Sequence, residues 1–177
     1  MLFGNRARQA VNEGTGRFVT TEEALHIVDG CEERGLVAQT FMDQDSGALC
    51  NCCGDCCLIL RAIKEEPKPA EIVWTDYYAS VNAEACSACR TCVDRCQMKA
   101  VEMEASDMAQ VDRHRCIGCG LCVTTCPTGA LSLRRKPGLD HRSSAAAGKN
   151  YLLQLVSHEV RSFIREVESA RTEAKGI

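Results

Sequence analysis

Cys116-Ile117-Gly118-Cys119-Gly120-Leu121-Cys122-Val123-Thr124-Thr125-Cys126-Pro127 carries four cysteines in the spacing C-x2-C-x2-C-x3-C. The same spacing stands thirty residues earlier, as Cys86-Ser87-Ala88-Cys89-Arg90-Thr91-Cys92-Val93-Asp94-Arg95-Cys96-Gln97. All four cysteines coincide, together with the valine after the third (Val93, Val123) and the alanine that opens the following stretch (Ala100, Ala130). Two copies in so short a span predict one small unit with a pseudo-twofold repeat.

The spacing has a chemical basis. Three cysteines separated by two residues each lie on a tight loop that can wrap one face of a cube, with backbone N–H groups turned toward the sulfurs. The fourth opens a short helix directed away from its own loop. Zinc is the competing occupant, but four-cysteine zinc sites generally use two separated pairs. A duplicated run of three plus one favours an iron–sulfur core.

Residues 76–136 resemble the bacterial dicluster ferredoxin domain through these two motifs, over roughly a third of the chain. In that family the fourth cysteine of each run ligates the other cluster. The resemblance implies two [4Fe–4S] clusters, the first held by Cys86, Cys89, Cys92 and Cys126, the second by Cys116, Cys119, Cys122 and Cys96. It also implies an α+β, ferredoxin-like fold. Strands are expected at 77–82 and 130–134, a hairpin at 100–104 and 108–112, and two short helices after the loops, in a β-α-β-β-α-β-like order. The second run follows the family pattern fully. The first departs from it, with Gln97 in place of the usual proline and with Ala88 and Arg90 where glycine often supplies free φ and a close approach to the inorganic core. The two potentials are therefore expected to differ. A core this small buries little apolar surface, so the clusters should supply most of the stability and the apo-chain should be largely unfolded.

Composition agrees with a metal protein. Fourteen cysteines in 177 residues suggest either a disulfide scaffold or metal ligation. The start, Met1-Leu2-Phe3-Gly4-Asn5-Arg6, turns polar and charged at once, unlike a secretory leader. A cytoplasmic protein with reduced thiols is expected. No apolar run approaches the length needed to cross a bilayer, although a membrane subunit could still be a partner. The net charge of −3 points to no nucleic acid.

Outside the repeat, residues 1–66 are expected to form a helical, Cys-rich region. A helix within 16–35 is signalled by Thr20 as N-cap, Glu23 closing a capping box and Gly35 as the stop. Ala24, Ile27, Val28 and Cys31 would be its buried stripe, with Leu25 at the edge and Cys31 a core residue. Leu36 to Phe41 then reads as extended, and no basic recognition helix follows for DNA. Five cysteines crowd the next stretch: Cys50, Cys52, Cys53, Cys56 and Cys57. They are expected to run into the apolar segment 58–63 as one helix, on which Cys53 with Cys56 or Cys57 would converge. Pro67 and Pro69 end that helix and mark a linker or boundary before a ferredoxin domain at 72–136. The alternatives for a subset of these cysteines are a third iron–sulfur cluster, zinc, or reactive thiols. The stretch from Ala38-Gln39-Thr40-Phe41 through Cys57, with Tyr77-Tyr78 before the first loop, resembles the C-N-C-C-x2-C-C extensions found upstream of dicluster ferredoxin domains in anaerobic bacteria and archaea. That resemblance implies an architecture and no substrate.

Residues 137–150 read as a flexible linker and 151–177 as an amphipathic C-terminal helix, with Leu152, Val156, Val160, Phe163, Ile164 and Val167 on one face. No dinucleotide fingerprint, phosphate loop or nucleophile triad is present. His26, His114, His141 and His158 read as surface or capping residues, with His114 close enough to Cys116 to tune the second cluster. Residues 76–136 carry seven acidic and eight basic side chains, a balance that favours a subunit or dedicated carrier over a general shuttle. The reading is an electron-transfer protein or electron-transfer subunit serving an oxidoreductase or other electron donor and acceptor proteins. The alternative is a redox or metal sensor, or interaction module, using residues 50–57.

Overall fold

The computed structural model describes residues 1–40, 47–73 and 75–137. The linker at 137–150, beyond Pro137, and the helix at 151–177 lie outside them. The chain opens with α1 (Gly4–Asn12), which no cap or apolar period announced. Its entry is fastened by the Met1 ammonium, which donates to the Leu49 carbonyl at 2.7 Å, and by a bridge between Leu2 and Ala48.

Helix α2 (Thr21–Glu33) begins where its cap signal stands: Thr20 is extended and its hydroxyl accepts from the Glu23 N–H at 3.1 Å. The reciprocal half of the box is replaced, because the Glu23 carboxylate takes the Arg17 guanidinium. Gly35 follows with φ +80°, the left-handed stop that glycine allows. The stripe is less buried than its period suggests. Ala24, Val28 and Cys31 are half-buried, while Ile27 and Leu25 are 37% and 60% exposed. The cause is how the helix is held: Arg95 grips its C-terminal end through the Glu32 and Glu33 carbonyls, so only that end is pressed on the rest.

The cysteine-dense stretch is not helical. β1 (Val37–Thr40) pairs antiparallel with β2 (Leu49–Cys52), in the register Val37 to Cys52 and Gln39 to Cys50. Cys53 to Cys56 then form a turn, and α3 (Leu58–Glu65) begins only after it, with Cys57 as its N-cap residue. Cysteine is a weak helix former. Gly54-Asp55 is a turn dipeptide, and the β1 partner, distant in sequence, supplies the ladder that a single-segment reading cannot see. Cys53, Cys56 and Cys57 therefore do not share a helix face.

α3 buries Leu60, Ala62 and Ile63 and stops at Glu65, ahead of Pro67. The expected linker is itself packed. Pro69 is the first residue of α4 (Pro69–Ile72) and is fully buried, and Ala70 N–H donates to the His114 carbonyl at 2.8 Å. Arg115 completes the fastening by donating to the carbonyls of Met98, Glu66 and Lys64 at 3.0, 3.2 and 2.8 Å. Charge-assisted bonds to half-buried carbonyls should make Arg115→Ala cost about 2–3 kcal/mol. The expected result is a lower denaturant midpoint with faster hydrogen exchange at residues 64–66; an unchanged midpoint would refute the clamp.

The remaining elements follow the expected order. β3 (Tyr77–Val81) pairs antiparallel with β6 (Leu131–Arg135), and β4 (Val101–Met103) with β5 (Ala109–Val111). Between them lie the short helices α5 (Thr91–Arg95) and α6 (Leu121–Thr124). One hydrophobic cluster joins Val37, Leu60 and Ile63 of the first section to Ala79, Met98, Val101, Leu121 and Leu131 of the second. Among the described residues no helix is long and apolar enough to cross a membrane.

Candidate metal centre

Each cysteine loop turns sharply into its helix through left-handed residues. In the second run these are Gly118 (φ +66°) and Gly120 (φ +85°), with Gly129 (φ +64°) after the helix. In the first run the same places are filled by Ala88 (φ +57°), Arg90 (φ +65°) and Lys99 (φ +52°). The two loops thus share one backbone course although only one has glycine for it. Each side chain forced into this region costs about 1–2 kcal/mol, and the turn persists because the surrounding core fixes it. Ala88 and Arg90 were flagged by their departure from the family loop. Lys99 was missed, although its alignment with Gly129 in the repeat carried the signal.

The cysteines gather in two groups. Cys86, Cys89, Cys92 and Cys126 line one cavity, with Met103 and Leu131 among its apolar walls. In the other group, Cys119 and Cys122 have Cys96 and Cys116 as their charged-state neighbours, and Cys122 also senses Cys92. Each group therefore contains three cysteines from one loop and the fourth from the other. Among the described residues, no three His, Cys, Asp or Glu side chains close round one point as a single ion requires. Four thiols round a cavity with apolar walls suit a larger inorganic core.

The sulfurs receive hydrogen bonds in a repeated way. Ala100 N–H donates to Cys96 Sγ at 3.2 Å and Ala130 N–H to Cys126 Sγ at 3.3 Å, which gives the two matching alanines a physical role. Ala79 N–H on β3 donates to Cys116 Sγ at 3.3 Å. Beyond this the groups differ. Cys89 is exposed, and the Thr91 hydroxyl, the Thr91 N–H and the Ser87 hydroxyl hold its thiol below the ordinary range. At Cys126 burial acts upward, but the Thr128 hydroxyl and the N–H groups of Thr128, Ala130 and Leu131 outweigh it and lower the thiol. Burial raises Cys92. In the second group burial dominates: it pushes Cys122, with its thiol neighbours, up to about 12. Cys119 reaches the molecular surface, yet the protein packed around it pushes its thiol up to about 11.

The stretch 50–57 brings its cysteines together in pairs. Cys53 and Cys56 meet across their turn, with Sγ atoms 3.3 Å apart. N–H groups of Cys56 and Asp55 face the Cys53 sulfur and lower its thiol, and the nearby Cys53 raises that of Cys56. Cys52 is pushed up to about 11 by burial, then by contact with Cys57 and the neighbouring Cys50 and Cys56. Cys31 stands half-buried on α2.

Gln97 explains one departure of the first run. Its side-chain amide donates to the Gly35 carbonyl at 3.0 Å and accepts from Gly54 N–H at 2.9 Å. A proline could make neither bond. With Arg95 on the end of α2, the residues flanking Cys96 fasten the first section beside that cysteine. His114 is exposed; its backbone N–H donates to Asp112 Oδ1 at 2.8 Å and its ring lies 3.9 Å from the Glu71 carboxylate.

No curated protein matches the chain. Residues 79–133 match a family model described as a 4Fe-4S dicluster domain. With the mixed helices and small sheets and the gathered thiols, this match makes residues 79–133 a ferredoxin-type iron–sulfur domain.

Proposed function

We propose that the chain is an electron-transfer protein, or the electron-transfer subunit of an oxidoreductase, carrying two [4Fe–4S] clusters with crossed ligation. Cys86, Cys89, Cys92 and Cys126 would hold the first, and Cys116, Cys119, Cys122 and Cys96 the second. The observation that carries this reading is the exchange of fourth cysteines between the two groups. A pseudo-twofold relation supports it: moving each partner by thirty residues turns the pair Val81 with Leu131 into Val111 with Val101. The left-handed residues repeat at the same offset. Such clusters supply reversible one-electron chemistry; the chain supplies ligands, N–H donors and a dry core.

The environments order the two sites. Hydrogen bonds to sulfur and solvent access favour the more negative reduced state, and burial opposes it. The first site, where the hydroxyls of Thr91 and Thr128 reach the Cys89 and Cys126 sulfurs, therefore has the higher potential. A dedicated electron donor or acceptor in the cytoplasm fits the near-balanced surface charge; nucleic acid does not enter this reading.

Anaerobic purification, iron and sulfide analysis and EPR-monitored titration test the proposal. About eight iron and eight sulfide per chain and two separable one-electron midpoints are expected. Fewer than about eight iron would refute the two-cluster reading, and about twelve would add a third cluster at residues 50–57. The sensor reading rests on the Cys53–Cys56 contact.

A further inference from the structure

We infer that Cys53 and Cys56 form a dithiol–disulfide exchange site whose substrates are disulfides on a partner molecule. The inference deepens the sensor reading of residues 50–57 and rests on it. The pair is C-x2-C on a turn, Cys53-Gly54-Asp55-Cys56, which brings the two thiols together. Their sulfurs lie 3.3 Å apart, so closing a bond of about 2.0 Å needs only a small adjustment of the turn. Cys56 is exposed and Cys53 half-buried, so a partner can reach the pair.

The turn is also anchored. Gly54 N–H is held by Gln97, the residue directly after Cys96. A Cβ at Gly54 would stand 2.9 Å from Gln97 Oε1, so the contact depends on glycine. The exchange pair thereby sits against the segment that presents a proposed cluster ligand. A closed bond would form directly beside Gln97.

The reaction balances without any further oxidant. Cys53, as thiolate, attacks one sulfur of the partner disulfide, forming a mixed disulfide and releasing one thiolate, which takes up the proton that Cys53 lost. Cys56 gives up its proton and attacks Cys53 Sγ. The mixed disulfide breaks, the Cys53–Cys56 bond forms, and the second partner thiolate leaves and takes that proton. The partner disulfide has gained two electrons and two protons; the pair has lost them. Excess dithiol reverses the sequence.

The test uses the full-length, cluster-loaded chain under anaerobic conditions. It is equilibrated in graded mixtures of reduced and oxidised glutathione, quenched with an alkylating agent and mapped by mass spectrometry. A Cys53–Cys56 disulfide that appears and disappears with a two-electron dependence is expected. Cys56→Ser should accumulate glutathione on Cys53 as a stable mixed disulfide, whereas Cys31→Ser should leave the Cys53–Cys56 bond unchanged. If both thiols resist alkylation in the reduced protein and the metal content exceeds two clusters, the pair is a ligand set and the inference falls while the two-cluster reading stands. If both thiols are alkylated across the whole range, the inference falls too. Iron analysis of the same samples reports on the two-cluster reading separately, because about eight iron per chain is expected whatever the state of the pair.

Discussion

Gly118→Ala should destabilise the chain by about 3–5 kcal/mol and strip iron from the second site, although the change adds one methyl group. The added Cβ would lie 2.3 Å from the Tyr77 carbonyl oxygen, 2.7 Å from Thr75 Oγ1 and 2.9 Å from the Tyr77 carbonyl carbon. No flexible side-chain end is available to yield at Tyr77; the obstacle is the backbone at the start of β3. Moving Tyr77 pulls on its pairing with Arg135, and on the Ala79 N–H that donates to Cys116 Sγ. The left-handed φ of +66° adds its own cost. Gly120→Ala is the natural control, because its Cβ would meet only Leu133 Cδ1, at an ordinary 3.7 Å. That variant should lose about 1 kcal/mol, the backbone cost alone. Denaturant unfolding with iron analysis separates the two. Equal losses at Gly118 and Gly120 would show that the loop's conformation matters and the close approach of β3 does not.

The comparison between halves gives the prediction its context. Ala88 occupies the place of Gly118 in the first loop and already carries a Cβ at φ +57°. The loop geometry therefore tolerates a side chain at this φ. What distinguishes Gly118 is the neighbour, and that neighbour is fixed by the β3–β6 pairing.

Much of the domain at 79–133 was legible in the sequence because its signals are local and duplicated. The ligand spacing, the alanines that donate to the fourth sulfur and the ends of the short strands all recur at thirty residues. The Thr20 cap and the stop at Glu65 were legible for a similar reason, since a cap or a proline acts within one turn. Residues 50–57 were not. Their strand character comes from β1, and a ladder between segments distant in sequence leaves no periodic mark on either. The burial of α2 was overestimated because amphipathic spacing identifies a face without saying what covers it. Leu25 at 60% exposed lies on the edge of a face gripped only at its far end. Gln97 was noticed as a departure, but its meaning lay in Gly35 and Gly54, far away along the chain.

The proposed crossed ligation predicts the other large effect: Cys126→Ser should disturb the same EPR signal as Cys89→Ser, and Cys96→Ser the same signal as Cys119→Ser. Sequence proximity predicts the opposite pairing, since Cys126 belongs to the run that contains Cys119. The geometry supports the crossed pairing. From Cys92 to Cys96 the chain rises about one helical turn, roughly 6 Å, which carries the fourth cysteine off its own loop. Ala100 and Ala130 N–H groups hold the Cys96 and Cys126 sulfurs at 3.2 and 3.3 Å; Cys126 lines the cavity of Cys86, Cys89 and Cys92, and Cys96 neighbours Cys119 and Cys122. A variant that loses one cluster should keep about four iron per chain with a single remaining signal. Where serine still ligates, iron stays near eight and the affected signal shifts its midpoint, so the assignment survives either outcome. The hydroxyl environment adds a second readout. Thr91→Val removes a donor from Cys89, so it should lower the midpoint shared by Cys89 and Cys126 and leave the other in place. If Cys126→Ser instead altered the signal shared with Cys119, each loop would hold its own cluster. The exchange of fourth cysteines between the two groups would then have no part in ligation.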